Sequence, residues 1–84
     1  MFTVYSKPAC PQCEQAKTLL KSTGQQFEVV HLDVGQTKVD GEKYISRDDL
    51  LSKFPGARMM PQISRDDLVV GGLTELKKLL DATF

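Results

Sequence analysis

The chain has 84 residues, and its 11 Lys and Arg balance its 11 Asp and Glu to a formal net charge of zero. That balance leaves no basic excess for nucleic acid or an acidic lipid surface, so neither is expected as a partner. A chain this short buries only about 60% of its extended surface, which supports one modest core and a single domain over residues 1–84.

Met1 to Ser6 carries Phe2, Val4 and the ring of Tyr5 and reads as a first strand, stopped by Lys7-Pro8-Ala9. From Pro11, Cys13, Ala16, Leu19 and Leu20 recur at helical spacing. Glu14, Gln15, Lys17, Thr18 and Lys21 fill the other face until Ser22-Thr23-Gly24 ends the pattern. Phe27 to Val34 is β-branched and largely apolar, as suits a buried strand parallel to the first with the helix as crossover. Gly35 to Tyr44 is polar and reads as a loop.

Ser46-Arg47-Asp48-Asp49 resembles an N-cap with an acidic first turn, and it opens a short helix through Leu50, Leu51 and Phe54 that Pro55-Gly56 terminates. Gln62-Ile63-Ser64 and Leu68-Val69-Val70 flank the turn Arg65-Asp66-Asp67 as a β-hairpin, which Gly71-Gly72 breaks. A final helix begins near Leu73-Thr74-Glu75. It turns Leu73, Leu76, Leu79 and Leu80 toward the sheet and leaves Lys77, Lys78 and Asp81 outside. The order is β-α-β-α-β-β-α, an α/β fold with a four-stranded sheet. No run approaches the roughly 18 apolar residues of a membrane span, and the N-terminus lacks a basic segment followed by an apolar one. No membrane association is expected.

The two cysteines of the chain fall together as Cys10-Pro11-Gln12-Cys13 at the start of the first helix. A secreted, stapled domain spreads its cysteines, whereas this pair closes almost no loop, so a structural role contributes little and a reducing compartment, the cytoplasm, is expected. One helical turn places the two α-carbons roughly 5 to 6 Å apart, within reach of a disulfide. Cys10, at the helix end, meets unsatisfied N–H groups that favour its thiolate, while Cys13 lies deeper on the apolar face. Cys10 is therefore the expected attacking sulfur and Cys13 the sulfur that resolves the mixed disulfide. Lys7 stands just upstream, where its charge would add to that of the helix end. A zinc site would need four ligands, and beyond the pair only His31 is on offer, so no metal is expected. His31 itself reads as an ordinary strand residue.

Lys7 ahead of Cys10-Pro11-Gln12-Cys13, then Met60-Pro61-Gln62, then Gly71-Gly72-Leu73-Thr74-Glu75 together resemble the dithiol glutaredoxins over essentially the whole chain. The Met-Met-Pro-Gln stretch and the long loop before the second helix look most like the small glutaredoxins of tailed bacteriophages, which would place the chain in a host cytoplasm. The resemblance implies a thioredoxin-like fold with a four-stranded mixed sheet, helices on both faces, and Pro61 in cis facing the cysteines. It also implies glutathione as reducing co-substrate. The backbone of Met60 would pair with the cysteine part of glutathione. Gly72, Leu73 and Thr74 would take its γ-glutamyl carboxylate, with Thr74 or Glu75 near the amine. Lys7, with Arg58 or Gln62, would meet the glycyl carboxylate. Gln12 stands where the family commonly has a Tyr lining that groove. Read alone, Gly71-Gly72 is a hairpin exit and helix N-cap, and Pro61 an ordinary strand-entry proline.

The implied activity is glutathione-dependent thiol–disulfide exchange by a monomer acting on protein disulfides or glutathione mixed disulfides, with ribonucleotide reductase as an acceptor. Two alternatives stay open. One is a glutaredoxin-like donor reduced by thioredoxin reductase, a class that lacks the Gly-Gly pair. The other is a dimeric iron–sulfur or metal carrier in which each subunit gives Cys10, disfavoured by Pro11 and the second cysteine.

Overall fold

The computed structural model describes the backbone of residues 1–83 and the side chains of residues 1–81. The elements run β1 (Phe2–Ser6), α1 (Pro11–Ser22), β2 (Phe27–Leu32), β3 (Lys43–Ile45), α2 (Arg47–Lys53), β4 (Gln62–Arg65), β5 (Leu68–Gly71) and α3 (Leu73–Thr83). The sheet has five strands in the order β3-β2-β1-β4-β5, not the four expected. β1 lies at its centre, parallel to β2 and antiparallel to β4, and β3 extends the parallel side.

The additional strand comes from the end of the segment read as a loop. Lys43, Tyr44 and Ile45 pair with Val30, His31 and Leu32, and the N–H of Asp33 donates to the Ile45 carbonyl at 2.8 Å. Three residues are too few to show a strand period. Their extended state is set by the free edge of β2, which offers backbone partners that no local pattern announces. β2 also ends two residues early. The Asp33 carboxylate accepts the Gly35 N–H at 3.1 Å, and the Gln36 side chain accepts from the Val34 N–H at 2.8 Å while donating to the Leu32 carbonyl at 2.9 Å. These side chains replace the ladder and turn the chain away from the sheet.

Local chemistry explains the other boundaries. Ser46 caps α2, its hydroxyl accepting the Asp49 N–H at 3.1 Å. The β4–β5 hairpin closes on two residues, Asp66 and Asp67, with φ of +48° and +71°; Arg65 is a strand residue paired with Leu68. Two consecutive positive φ values make the turn whose twist matches that of the strands it joins.

Alternation along β1 divides the core. Phe2 and Val4 join Ala16 and Leu20 of α1, Ile63 of β4, and Leu76 and Leu80 of α3 on one face of the sheet. Tyr5 faces the other way, with Val30 of β2 and with Leu50 and Phe54 at α2. The Tyr5 and Phe54 rings meet edge to face at 5.2 Å. Burying a side chain such as Leu20, Ile63 or Leu76 contributes about 1.5–3 kcal/mol, so α1 and α3 are held to the sheet mainly by such residues, and α2 by Leu50 and Phe54. Helices thus cover both faces. The carboxyl end of the central strand, where a parallel and an antiparallel neighbour diverge, is left for the segment that follows it.

Candidate active site

Lys7-Pro8-Ala9 carries the chain from the end of β1 to α1, with Ala9 at φ +54° making the turn. Cys10 then occupies the N-cap of α1 with extended backbone, and Pro11 takes the first helical position, where its missing N–H costs nothing. The Cys13 N–H donates to Cys10 Sγ at 3.2 Å. The sulfur therefore fills the place of a capping hydroxyl, and the positive end of the helix favours its ionised form.

Cys13 follows one turn later with its α-carbon 5.2 Å from that of Cys10, and the pair forms a disulfide. Cys13 is wholly buried, and Cys10 keeps 9% of its surface. Cys10 is thus more enclosed than its place at a helix end suggests, but the expected order of exposure holds. Both sulfurs belong to the cluster that includes Tyr5, Leu50 and Phe54 on the α2 side of the sheet.

The three separated motifs converge here. Cys10 Sγ lies 3.9 Å from the Met60 carbonyl oxygen, the Met60–Pro61 bond is cis, and Pro61 is fully buried. Gly72 borders Pro61 in turn: a Cβ added to it would sit 3.6 Å from the Pro61 carbonyl oxygen, an ordinary contact. Gly72 therefore has room for a side chain within its own fold, and its bareness leaves space on the outside. Gly71 differs: its φ of +120° favours glycine, and a Cβ there would stand 2.8 Å from Glu75 Cγ, so that side chain would have to shift.

The remaining candidates surround this line. Leu73 and Thr74 occupy the first turn of α3, where backbone N–H groups lack intrahelical partners. Glu75 is already engaged, its carboxylate accepting the Gly72 N–H at 3.0 Å as in one half of a capping box. Gln62 is nearly buried and donates to the Met59 carbonyl at 2.8 Å, which ties down the backbone just before the cis bond. Gln12 is exposed on the first turn of α1. Lys7 is exposed and has no ion pair among the described residues. It borders a small cavity of about 150 Å³ together with Arg47, Arg58, Met59 and Met60. Among the described residues, no group of three or more His, Cys, Asp or Glu side chains is placed to hold a metal ion.

A larger cavity of about 770 Å³ also opens beside Cys10, between the Lys7–Pro11 turn and the segment from Gln36 to Tyr44. It shares only Lys7 with the smaller one. His31 and Tyr44, cross-strand partners in β2 and β3, form part of its wall with their rings 5.3 Å apart. His31 Nε2 lies 3.3 Å from Glu42 Oε2. These residues were not legible as site residues, because only the pairing of β3 brings Glu42 and Tyr44 to His31. The usable signal was the length and polarity of the segment after β2.

Comparison with known proteins agrees with this geometry. Residues 2–70 match the family model described as Glutaredoxin. A glutaredoxin of Neisseria meningitidis is 35% identical over 77 residues, which covers 92% of this chain and 81% of that protein. The crystal structure of glutaredoxin 1 from Francisella tularensis, complexed with cacodylate, superposes with a TM-score of 0.70 at 22% identity and covers 98% of this chain and 93% of that one. A buckwheat glutaredoxin–glutathione complex superposes with a TM-score of 0.62 at 21% identity, over 96% of this chain and 69% of that one.

Proposed function

This chain belongs to the glutaredoxin family, the thiol–disulfide oxidoreductases, and from that premise we propose that it uses glutathione to reduce protein disulfides and glutathione mixed disulfides. The observation that carries the reading is the position of Cys10 Sγ, which accepts a helix N-terminal N–H at 3.2 Å and stands 3.9 Å from the Met60 carbonyl. The first contact favours a nucleophilic thiolate. The second brings the Met60 backbone beside the attacking sulfur, which supports pairing of that backbone with an extended peptide, the cysteine part of glutathione.

Cys10 attacks a substrate disulfide and forms a mixed disulfide, expelling one thiolate. The Cys13 thiol, deprotonated, then attacks Cys10 Sγ and expels the second, leaving the Cys10–Cys13 disulfide that glutathione re-reduces. In this reading Met60 and Pro61 align the glutathione backbone. Leu73 and Thr74 receive the γ-glutamyl carboxylate beside the bare Gly72, Thr74 or Glu75 lies near the amine, Lys7 meets the glycyl carboxylate, and Gln12 borders the groove. The bareness of Gly72 and the unpartnered first turn of α3 support this placement. Glutathione in complex with a buckwheat protein of the same fold supports it as well.

Family membership supports ribonucleotide reductase as one acceptor, the reducing cytoplasm as the place of work, and residues 1–84 acting as one monomeric domain. The test is the choice of reductant. Glutathione with glutathione reductase and NADPH should turn over a small mixed disulfide through this protein. Reduction of the Cys10–Cys13 disulfide by thioredoxin reductase and NADPH, with glutathione inert, would overturn the glutathione reading.

A further inference from the structure

We propose that the cavity between the Lys7–Pro11 turn and the Gln36–Tyr44 segment is the docking groove for the polypeptide bearing the target disulfide, and that it selects a target half-cystine with an acidic neighbour. The proposal deepens the reading above, resting on Cys10 as the attacking sulfur. Cys10 lines this cavity, whereas Met60, Pro61 and Gly72 to Glu75 do not. A polypeptide here and a glutathione across Met60 and Gly72 therefore reach the same sulfur from separate surfaces that share only Lys7. A volume of about 770 Å³ lies within the roughly 300–1,000 Å³ of sites that enclose drug-sized ligands. Pro8, Pro11 and the exposed Val39 provide apolar contact on its rim.

Charge decides which polypeptide fits. Glu14 pairs with Lys17, and Glu42 stands 3.3 Å from His31 on the wall formed by the Gln36–Tyr44 segment, away from the Lys7–Pro11 turn. Lys7 is the lining cation with no ion pair among the described residues, and it lies three residues before Cys10. Its complement is a carboxylate close in sequence to the target sulfur. The far wall is already braced. The Tyr44 hydroxyl accepts the Val39 N–H at 2.7 Å, Gln36 holds Val34 and Leu32, and Lys38 pairs with Asp33 at 3.0 Å. A preformed wall loses little order when a partner docks.

The exchange is balanced in two electrons. The Cys10 thiolate forms a bond to one target sulfur as the target S–S bond breaks, and the departing thiolate takes a proton. The Cys13 thiol gives up its proton and attacks Cys10 Sγ, releasing the second target sulfur as a thiolate that is protonated. The target disulfide becomes a dithiol while the protein dithiol becomes the Cys10–Cys13 disulfide.

The test is a single turnover of the full chain, pre-reduced and desalted, without glutathione. The probes are a synthetic peptide with one intramolecular disulfide, made with Glu or with Lys beside the first half-cystine, and bis(2-hydroxyethyl) disulfide. Wild type should reduce the Glu peptide about two- to fivefold faster than the Lys peptide, and Lys7→Gln should bring the two rates together. Both peptides meet the same Cys10, so their ratio is insensitive to any change in thiolate formation. Val39→Trp, at an exposed rim position, should slow the peptides by about tenfold relative to the small disulfide. Equal rates for the two peptides with wild type, or a Val39→Trp effect shared equally by the small disulfide, would overturn the groove. Because no glutathione is present, these outcomes are independent of the glutathione reading. A wild-type chain that reduces neither peptide nor small disulfide would overturn the oxidoreductase role of Cys10 itself, and the groove with it.

Discussion

Cys10 Sγ accepts the Cys13 N–H at 3.2 Å, the same N-cap bond by which Ser46 Oγ accepts the Asp49 N–H at 3.1 Å at the start of α2. One fold thus uses a hydroxyl to cap one helix and a reactive sulfur to cap another. The oxygen of Ser46 stabilises its helix, whereas the sulfur of Cys10 is in turn stabilised as an anion by the helix it caps.

It follows that the Cys10 thiol in the reduced chain ionises below the roughly 8.5 of a free cysteine. Cys13→Ser isolates it for titration, and the pH dependence of iodoacetamide alkylation reads it directly. The midpoint should fall below that of a cysteine in an unfolded peptide of the same sequence. A midpoint at or above the peptide's would mean that the capping bond does not select the thiolate.

The two sulfurs should also separate by function. Cys13→Ser keeps the attacking group and should still remove glutathione from a small mixed disulfide, since a second glutathione then releases the product. It should lose reduction of protein disulfides, which needs an internal resolving thiol. Cys10→Ser should lose both while remaining folded, because a serine hydroxyl caps the helix as well as sulfur does. Paired assays on the two substrates check this, and the opposite pattern would exchange the roles.

Acid should loosen the β3 edge. The hydrogen bond from Lys43, with its charge, holds the Glu28 carboxyl below its ordinary 4.5, and the Gly35 N–H and Lys38 hold Asp33 below 3.8. A depressed carboxyl contributes stability that is present above its ordinary value and is lost as pH falls through the folded one. Lys43, raised above 10.5 chiefly by its hydrogen bond to Glu28, contributes stability below 10.5 that is lost as pH rises through its folded value. Amide exchange of residues 43–45 should therefore accelerate as pH falls below about 4.5, beyond the intrinsic pH dependence of exchange. Glu28→Gln should remove most of that acceleration, and added salt should weaken it, because these groups are exposed.

What could be read without coordinates was whatever short-range chemistry encodes. The spacing of Cys13, Ala16 and Leu20, the Ser46 cap and the Asp66-Asp67 turn each act within a few residues, and each stands where the sequence placed it to within one or two positions. β3 escaped because Lys43 to Ile45 become a strand only through the edge of β2. The cavity wall escaped with it, since His31 and Tyr44 meet through that register. The engagement of Glu75 was readable in principle: a Glu three residues beyond an N-cap glycine is the acceptor half of a capping box. Read alone, Gly71-Gly72 is a hairpin exit and helix N-cap, and the structure divides the pair: Gly71 serves the chain itself, while Gly72 has room for a side chain.

Gly71 provides the sharpest test of that division. Its φ of +120° is a conformation that side chains rarely adopt, and a Cβ there would stand 2.8 Å from Glu75 Cγ. Gly71→Ala should therefore cost about 1–3 kcal/mol in urea unfolding through backbone strain, plus whatever is lost when Glu75 is displaced from the Gly72 N–H. Adding Glu75→Ala separates the terms. If the contact dominates, the double variant should be no less stable than Gly71→Ala, because the bond to Gly72 is already gone. If backbone strain dominates and Glu75 stays in place, the two losses should add. Gly72→Ala lacks both problems, since the added carbon meets only ordinary contacts at 3.6 Å, and it should fold with near wild-type stability. Any loss of glutathione-coupled turnover in Gly72→Ala then belongs to the outer surface of the α3 N-terminus and not to the fold. Unchanged turnover would show that this surface needs no bare glycine.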